Sequence, residues 1–76
     1  MRQMEFKMER PGLCKVGDEL AVKETSLPNS YFYTLEHAYA MSGNYGTVER
    51  LKSTRGKVVD IKETPRGFFV TMEFEE

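Results

Sequence analysis

The chain opens on an alternation of apolar and charged positions. Met4, Phe6 and Met8 fall on one side, and Glu5, Lys7 and Glu9 on the other. A period of two is the mark of a strand with one face on a core and one in water. Pro11-Gly12 is expected to end it, because proline has no ladder donor and glycine admits the turn. Val16-Gly17-Asp18 marks a second turn. Leu20 and Val22 then share a face, with Glu19, Ala21 and Lys23 between them, so 19–24 is predicted as a second strand. The clearest signal lies near the other end. Val59 and Ile61 are placed on one face of a strand over 57–63. Phe68, Val70, Met72 and Phe74 line one face of the next, with Phe69, Thr71 and Glu73 opposite. Between them, Thr64-Pro65-Arg66-Gly67 supplies proline to fix φ in a type I turn and glycine to take the positive φ of a bulged hairpin.

The middle, Thr25 to Thr54, has no single period. Leu27-Pro28-Asn29-Ser30 is a loop able to cap a helix. Leu35, Ala38 and Tyr39 follow at i, i+3, i+4, with Ser42-Gly43 as a stop, and this spacing predicts a short helix over about 34–42. Tyr31-Phe32-Tyr33-Thr34 is aromatic and β-prone, and offers a strand instead. Val48 and Leu51, three apart, fit one helical turn or an irregular strand. Strands at both ends around one aromatic excursion predict a mainly β chain with one short helix. The architecture expected is a single small sheet of about five strands curled over its own core. Residues 1–76 form one domain, with an aromatic-rich insertion at about 25–48.

Two stretches give this outline a family likeness. Lys15-Val16-Gly17-Asp18-Glu19-Leu20-Ala21-Val22, then a long connection, then Arg55-Gly56-Lys57-Val58-Val59-Asp60-Ile61 and the final hairpin, resemble a Src-homology-3-like small barrel. Bacterial barrels of this kind often enter a strand through V-G-D and carry G-K-V-V before a tight hairpin. The resemblance implies a fold. It also implies that the long loop after the first core strand helps form an aromatic groove for a peptide. The extra N-terminal strand and the long middle segment go beyond a minimal barrel.

Composition narrows the function classes. The chain has 76 residues, 39% of them apolar and 30% charged, which is a globular balance. A single cysteine, Cys14, excludes an internal disulfide framework and a cysteine-based zinc site. It is expected to be a half-buried apolar residue and not a reactive thiol. No apolar run approaches the ~18–20 residues of a membrane span. Met1 to Glu5 lacks the apolar stretch of a secretory leader, so a cytoplasmic location without membrane association is expected. The formal charge of −1 argues against a chain built mainly to hold phosphate backbones. That total conceals a split: residues 50–66 carry Arg50, Lys52, Arg55, Lys57, Lys62 and Arg66 against Asp60 and Glu63, while 67–76 carry only Glu73, Glu75 and Glu76. Pairs such as Lys62 with Glu73 are expected across the hairpin.

Candidate chemistry is sparse. Tyr31, Phe32, Tyr33, Tyr39 and Tyr45 gather in one short stretch, and such clusters either close a small core or present a recognition surface. Phe32 is expected inward, with Tyr31 and Tyr33 outward. Gly43-Asn44-Tyr45-Gly46 matches the G-x-x-G of KH domains, where that loop joins two helices and clamps a nucleotide backbone. His37, the only histidine, has no metal-binding or catalytic spacing around it, and a surface position is expected. No phosphate-cradling loop or nucleophile motif accompanies these residues, and a barrel this small leaves little room for a substrate cavity of ~300–1,000 Å³. No enzyme activity, cofactor or metal is therefore expected. The leading expectation is a binding module for a protein or peptide surface, as a monomer or weak homodimer. Tyr31, Tyr33, Tyr39 and Tyr45 would be its contact rings, and Arg50, Lys52 and Arg55 its polar rim. The alternatives are single-stranded nucleic-acid binding through the same tyrosines and the 50–66 strip, and a structural subunit that pairs a terminal edge strand with another chain.

Overall fold

A short sheet with one apolar face and no long helix to cover it can bury that face by closing on itself. In a computed structural model, which describes residues 1–10 and 12–76, it does so. Six strands, β1 (Arg2–Met8), β2 (Glu19–Ser26), β3 (Tyr31–Leu35), β4 (Ala40–Ser42), β5 (Arg55–Thr64) and β6 (Gly67–Phe74), form a closed antiparallel barrel. Their order around the wall is β1-β4-β3-β2-β5-β6. The count is six, one more than expected, because the aromatic stretch forms two strands. Pro11 of the expected Pro11-Gly12 turn lies outside the described residues, and Gly12 has a positive φ of 79°.

The terminal strands follow their patterns. β1 pairs with β6 from Arg2↔Phe74 to Met8↔Phe68. Met4, Phe6, Met8, Val70, Met72 and Phe74 all point into the core. The β5–β6 hairpin turns at Pro65-Arg66 with Thr64 opposite Gly67, whose φ is 130°. The face expected for β5 needs correction. A register shift between Val58 and Asp60 sets Val58 against Met72 and Ile61 against Val70. Val58, not Val59, is therefore buried, with Ile61 packed beside it. Such a bulge bends a strand and increases its twist, as closure of a small barrel demands. The shift also changes the cross-strand pairs: Glu73 lies opposite Lys57, and Lys62 lies opposite Phe69. Gly56 is required by packing, since a Cβ there would sit 2.6 Å from the Phe74 ring and 2.9 Å from the Glu73 carbonyl oxygen.

The helix expected over 34–42 is absent. β3 and β4 form a hairpin whose turn, Glu36 to Tyr39, contains two left-handed residues, His37 (φ 67°) and Tyr39 (φ 52°). The buried residues here are Tyr33, Leu35, Ala38 and Ala40, whereas Tyr39, assigned to the helix face, is 77% exposed. The β-preferring aromatic run decided the outcome, because an isolated helix of so few residues has little stability of its own. The inward register is also the reverse of that expected. Tyr33 is buried and Phe32 lies half-buried on the other face. Gly43 to Gly46 connects β4 to a single 3-10 turn over Thr47–Glu49, so no helix pair flanks it and the KH likeness ends there.

Candidate functional site

The barrel wall is incomplete between β2 and β5. Their ladder covers only Glu19↔Lys57, Leu20↔Gly56 and Ala21↔Arg55, extended by the Val22 amide donating to the Thr54 carbonyl at 2.9 Å. Beyond that point residues 47–54 cross the opening, and a cleft of about 590 Å³ lies between them and β2.

Side chains fasten this segment. The Tyr33 ring is buried, and its hydroxyl leaves the core at the cleft, donating to Glu24 Oε2 at 2.9 Å and accepting from the Leu51 amide at 2.7 Å. Arg50 meets the Glu24 carboxylate in a two-pronged pair, Nε to Oε2 at 2.9 Å and Nη2 to Oε1 at 2.7 Å. Its guanidinium also lies over the Tyr31 ring, 4.6 Å from the centroid. On the other flank Glu76 accepts from the Lys52 amide at 3.0 Å and from the Ser53 amide and hydroxyl at 2.8 Å each. Arg2 donates to the Glu49 carbonyl oxygen and to Glu76, and lies over the Tyr45 ring.

Titration follows these contacts. Hydrogen bonds from Arg50 hold the Glu24 carboxyl below the usual carboxylate range and outweigh the effect of its own desolvation. The same pair raises Arg50 above the ordinary guanidinium value. Burial pushes Glu76 upward, but the hydrogen bonds from Ser53, Lys52 and Arg2 prevail and lower it. Burial, with the Glu24 charge nearby, raises the Tyr33 phenol.

The expected contact residues therefore divide. Tyr31, Tyr33, Tyr45, Arg50 and Lys52 gather around the cleft or its supports. Arg55 stands at the start of β5, with its guanidinium 3.5 Å from the Glu19 carbonyl oxygen. Tyr39 is separate, in the turn after the far end of β3, where it borders a second hollow with Glu9, Arg10, Leu13 and Ala38. Tyr33 is a core ring and not a free contact ring, because its position in β3 points it inward. His37 is exposed. Cys14 is half-buried with its sulfur 4.0 Å from Met8 Sδ; burial and the Asp18 charge raise its pKa, which disfavours the thiolate. Among the described residues, no group of three or more His, Cys, Asp or Glu is placed to hold a metal ion, and no helix is long and apolar enough to cross a membrane.

Among the contributors that escaped the sequence reading are Arg2, Glu24, Glu76 and Val48. Glu24 had a legible signal, since it shares parity with the inward Leu20 and Val22, and a charge on the apolar face of a strand needs a partner. Glu76 had none, because its partners lie more than twenty residues away in the chain. Val48 was grouped with Leu51, but it stands fully exposed on the 3-10 turn at the cleft margin while Leu51 is buried.

No protein-family model matches the chain, and no curated protein or solved structure is significantly similar to it. The class of the protein thus rests on its own geometry: a small, closed, six-stranded antiparallel β-barrel with a cleft where backbone pairing gives way to side chains.

Proposed function

We propose that this barrel is Src-homology-3-like in kind and works as a binding module without catalytic activity, taking a protein or peptide surface in the cleft between β2 and residues 47–54. One observation carries the reading. Val48, an apolar side chain left wholly in water, projects at the margin of a cleft in which Glu24 and Arg50 already hold each other and Lys52 is exposed. An exposed valine gains from apolar contact with a partner, and fixed polar side chains around it supply orientation at little further entropic cost.

The same arrangement weighs against single-stranded nucleic acid. Stacking needs free ring faces. Arg50 lies over Tyr31, Arg2 over Tyr45, and Tyr33 is buried, which leaves Tyr39, away from the cleft, as the tyrosine with an exposed ring. The 50–66 bases are dispersed as well: Arg50 is bound to Glu24, and Arg55 and Lys57 border a hollow that also holds Glu19, Glu73 and Glu75. The structural-subunit reading loses the β6 edge, which pairs with both β1 and β5, and keeps of β1 only the stretch before Phe6, which the Arg2 side chain crosses.

Capture with the full chain as bait, from lysate with and without nuclease, tests the proposal. The expected result is a protein partner that survives nuclease treatment and is lost with Val48→Asp, a change at an exposed position that leaves the fold intact. Capture that needs intact nucleic acid, or that ignores Val48→Asp, refutes it.

A further inference from the structure

We infer that the partner enters the cleft as an extended acidic segment, adding a strand to the unpaired edge of β2 between Val22 and Ser26. The inference rests on the binding-module reading and names the form and charge of the ligand.

The backbone parity of β2 is fixed on both sides. Ala21 accepts from the Glu36 amide, so with the registers Lys23↔Thr34 and Thr25↔Phe32 the odd residues bond toward β3. The Val22 amide, on the even parity, bonds the other way, to Thr54. Glu24 and Ser26 must then direct their amide groups toward the cleft as well. Among the described residues, the Val22 carbonyl, the Glu24 amide and carbonyl and the Ser26 amide have no backbone partner there. A row of spaced donors and acceptors beside a cleft is the template that an added strand completes. The stretch has room for a strand of about five residues at ~3.3 Å each.

Other strand edges are less open to this. The outer side of β5 beyond Val58 carries the bulge, which bends the strand and twists its edge away from pairing. The start of β1 is crossed by the Arg2 side chain, which reaches the Glu49 carbonyl and Glu76.

Charge selects the occupant. The charged residues of the cleft lining are Glu24, Arg50 and Lys52, and Glu24 is neutralised by Arg50. Lys52 in the cleft and Lys23 on the outer face of β2 are exposed, and neither has an ion pair among the described residues. Because side chains of a strand alternate between faces, acidic residues on an added strand can meet one lysine or the other, while apolar ones meet Val48 and Val22.

The test is a titration of the isotope-labelled full chain with a capped synthetic peptide of alternating valine and glutamate, followed by amide resonances and hydrogen exchange. Expected are saturable shifts at Lys23 to Ser26 and at Lys52, with exchange of the Glu24 and Ser26 amides slowed about tenfold. A peptide with lysine in place of glutamate, and one N-methylated at alternate amides, should each bind at least about tenfold more weakly. Ser26→Pro removes an edge donor without touching a bond to β3, and Lys52→Glu reverses the cleft charge; each should lose the glutamate peptide. Should Ser26→Pro fail to fold, Lys52→Glu and the N-methylated peptide still decide the matter. The absence of saturable shifts, binding without slowed exchange, or equal binding of the N-methylated peptide overturns the inference. A capture that still depends on Val48 while the peptide ignores β2 overturns strand addition alone and leaves the binding-module reading intact.

Discussion

From Arg55 to Phe74, and on through Arg2 to Met8, backbone ladders run almost unbroken, whereas from Val22 to Thr54 the ladders are short and the gap between β2 and residues 47–54 is closed by side chains. In the first region every inward position of β1 and β6 from Met4 to Met8 and from Val70 to Phe74 is apolar and buried, and the two ladders of β6 share them. In the second, β4 has three residues, β2 leaves β5 after three registered pairs, and closure depends on Tyr33, Glu24, Arg50, Glu76 and Arg2. The ladder region supplies cohesion that burial alone can provide. The fastened region gives some of that up and gains a cleft, an exposed valine and an open strand edge. Candidate binding groups therefore sit where the backbone does not finish the wall, a common relation between local stability and function.

Deep truncation in the ladder region should have the largest effect. Phe74→Ala removes a wholly buried ring that packs against Gly56 and ends the β1–β6 ladder. The expected loss is about 3–5 kcal/mol, the usual range for such a change. Set against a total of roughly 4–11 kcal/mol for a chain of this size, that removes from about a quarter to the whole of the stability, read as a lowered midpoint in a urea titration. A loss below about 1 kcal/mol would mean that the ladder region is not the main source of stability.

A single atom tests the fastened region. Tyr33→Phe keeps the ring but deletes the hydroxyl that accepts from the buried Leu51 amide and donates to Glu24. The amide loses its partner, and the expected cost is about 1–3 kcal/mol, well below that of Phe74→Ala. The urea midpoint should fall with little change in slope, and amide exchange should rise at Leu51 and its neighbours before it rises in β6. Uniform acceleration across the barrel would erase the distinction between the two regions.

The same distinction explains what could be read from the sequence. Alternation in β1 and β6 and the Pro65–Gly67 turn are local signals, and the structure follows them. The bulge at Val59 is not local, because it answers the need of β5 to curve around the barrel, and a run of Val-Val-Asp-Ile fits either register. At Leu35–Tyr39 a helical spacing competed with a β-prone run, and the tight turn has His37 and Tyr39 in left-handed conformations without a glycine; histidine is a weak signal for that conformation and tyrosine is none. The tyrosines and Arg50 were visible as a candidate cluster. Their supports, Glu24 and Glu76, become visible only when residues far apart in the chain are brought together.

Acid should act through those supports. Glu24 and Glu76 both have folded-state pKa values below their ordinary value of 4.5, so the folded chain binds protons less readily than the unfolded one. Their contribution is complete above the ordinary carboxylate range and is lost as pH falls through the lowered folded-state values. Thermal midpoints should therefore be nearly flat from about pH 7 to 5 and decline below about 4.5 on account of these two groups. Both carboxylates reach solvent, so the effect is small beside those of Phe74→Ala and Tyr33→Phe, and for the Glu24–Arg50 pair it shrinks with added salt. Glu24→Gln and Glu76→Gln should each lower the midpoint at neutral pH and flatten the acid slope. A conservative truncation in the ladder region, Val70→Ala, should lower the midpoint and keep the slope of the parent chain. If the glutamine variants retain the full acid slope, the polar contacts across the 47–54 segment are incidental, and the wall there is held by Leu51 and Tyr33 packing alone.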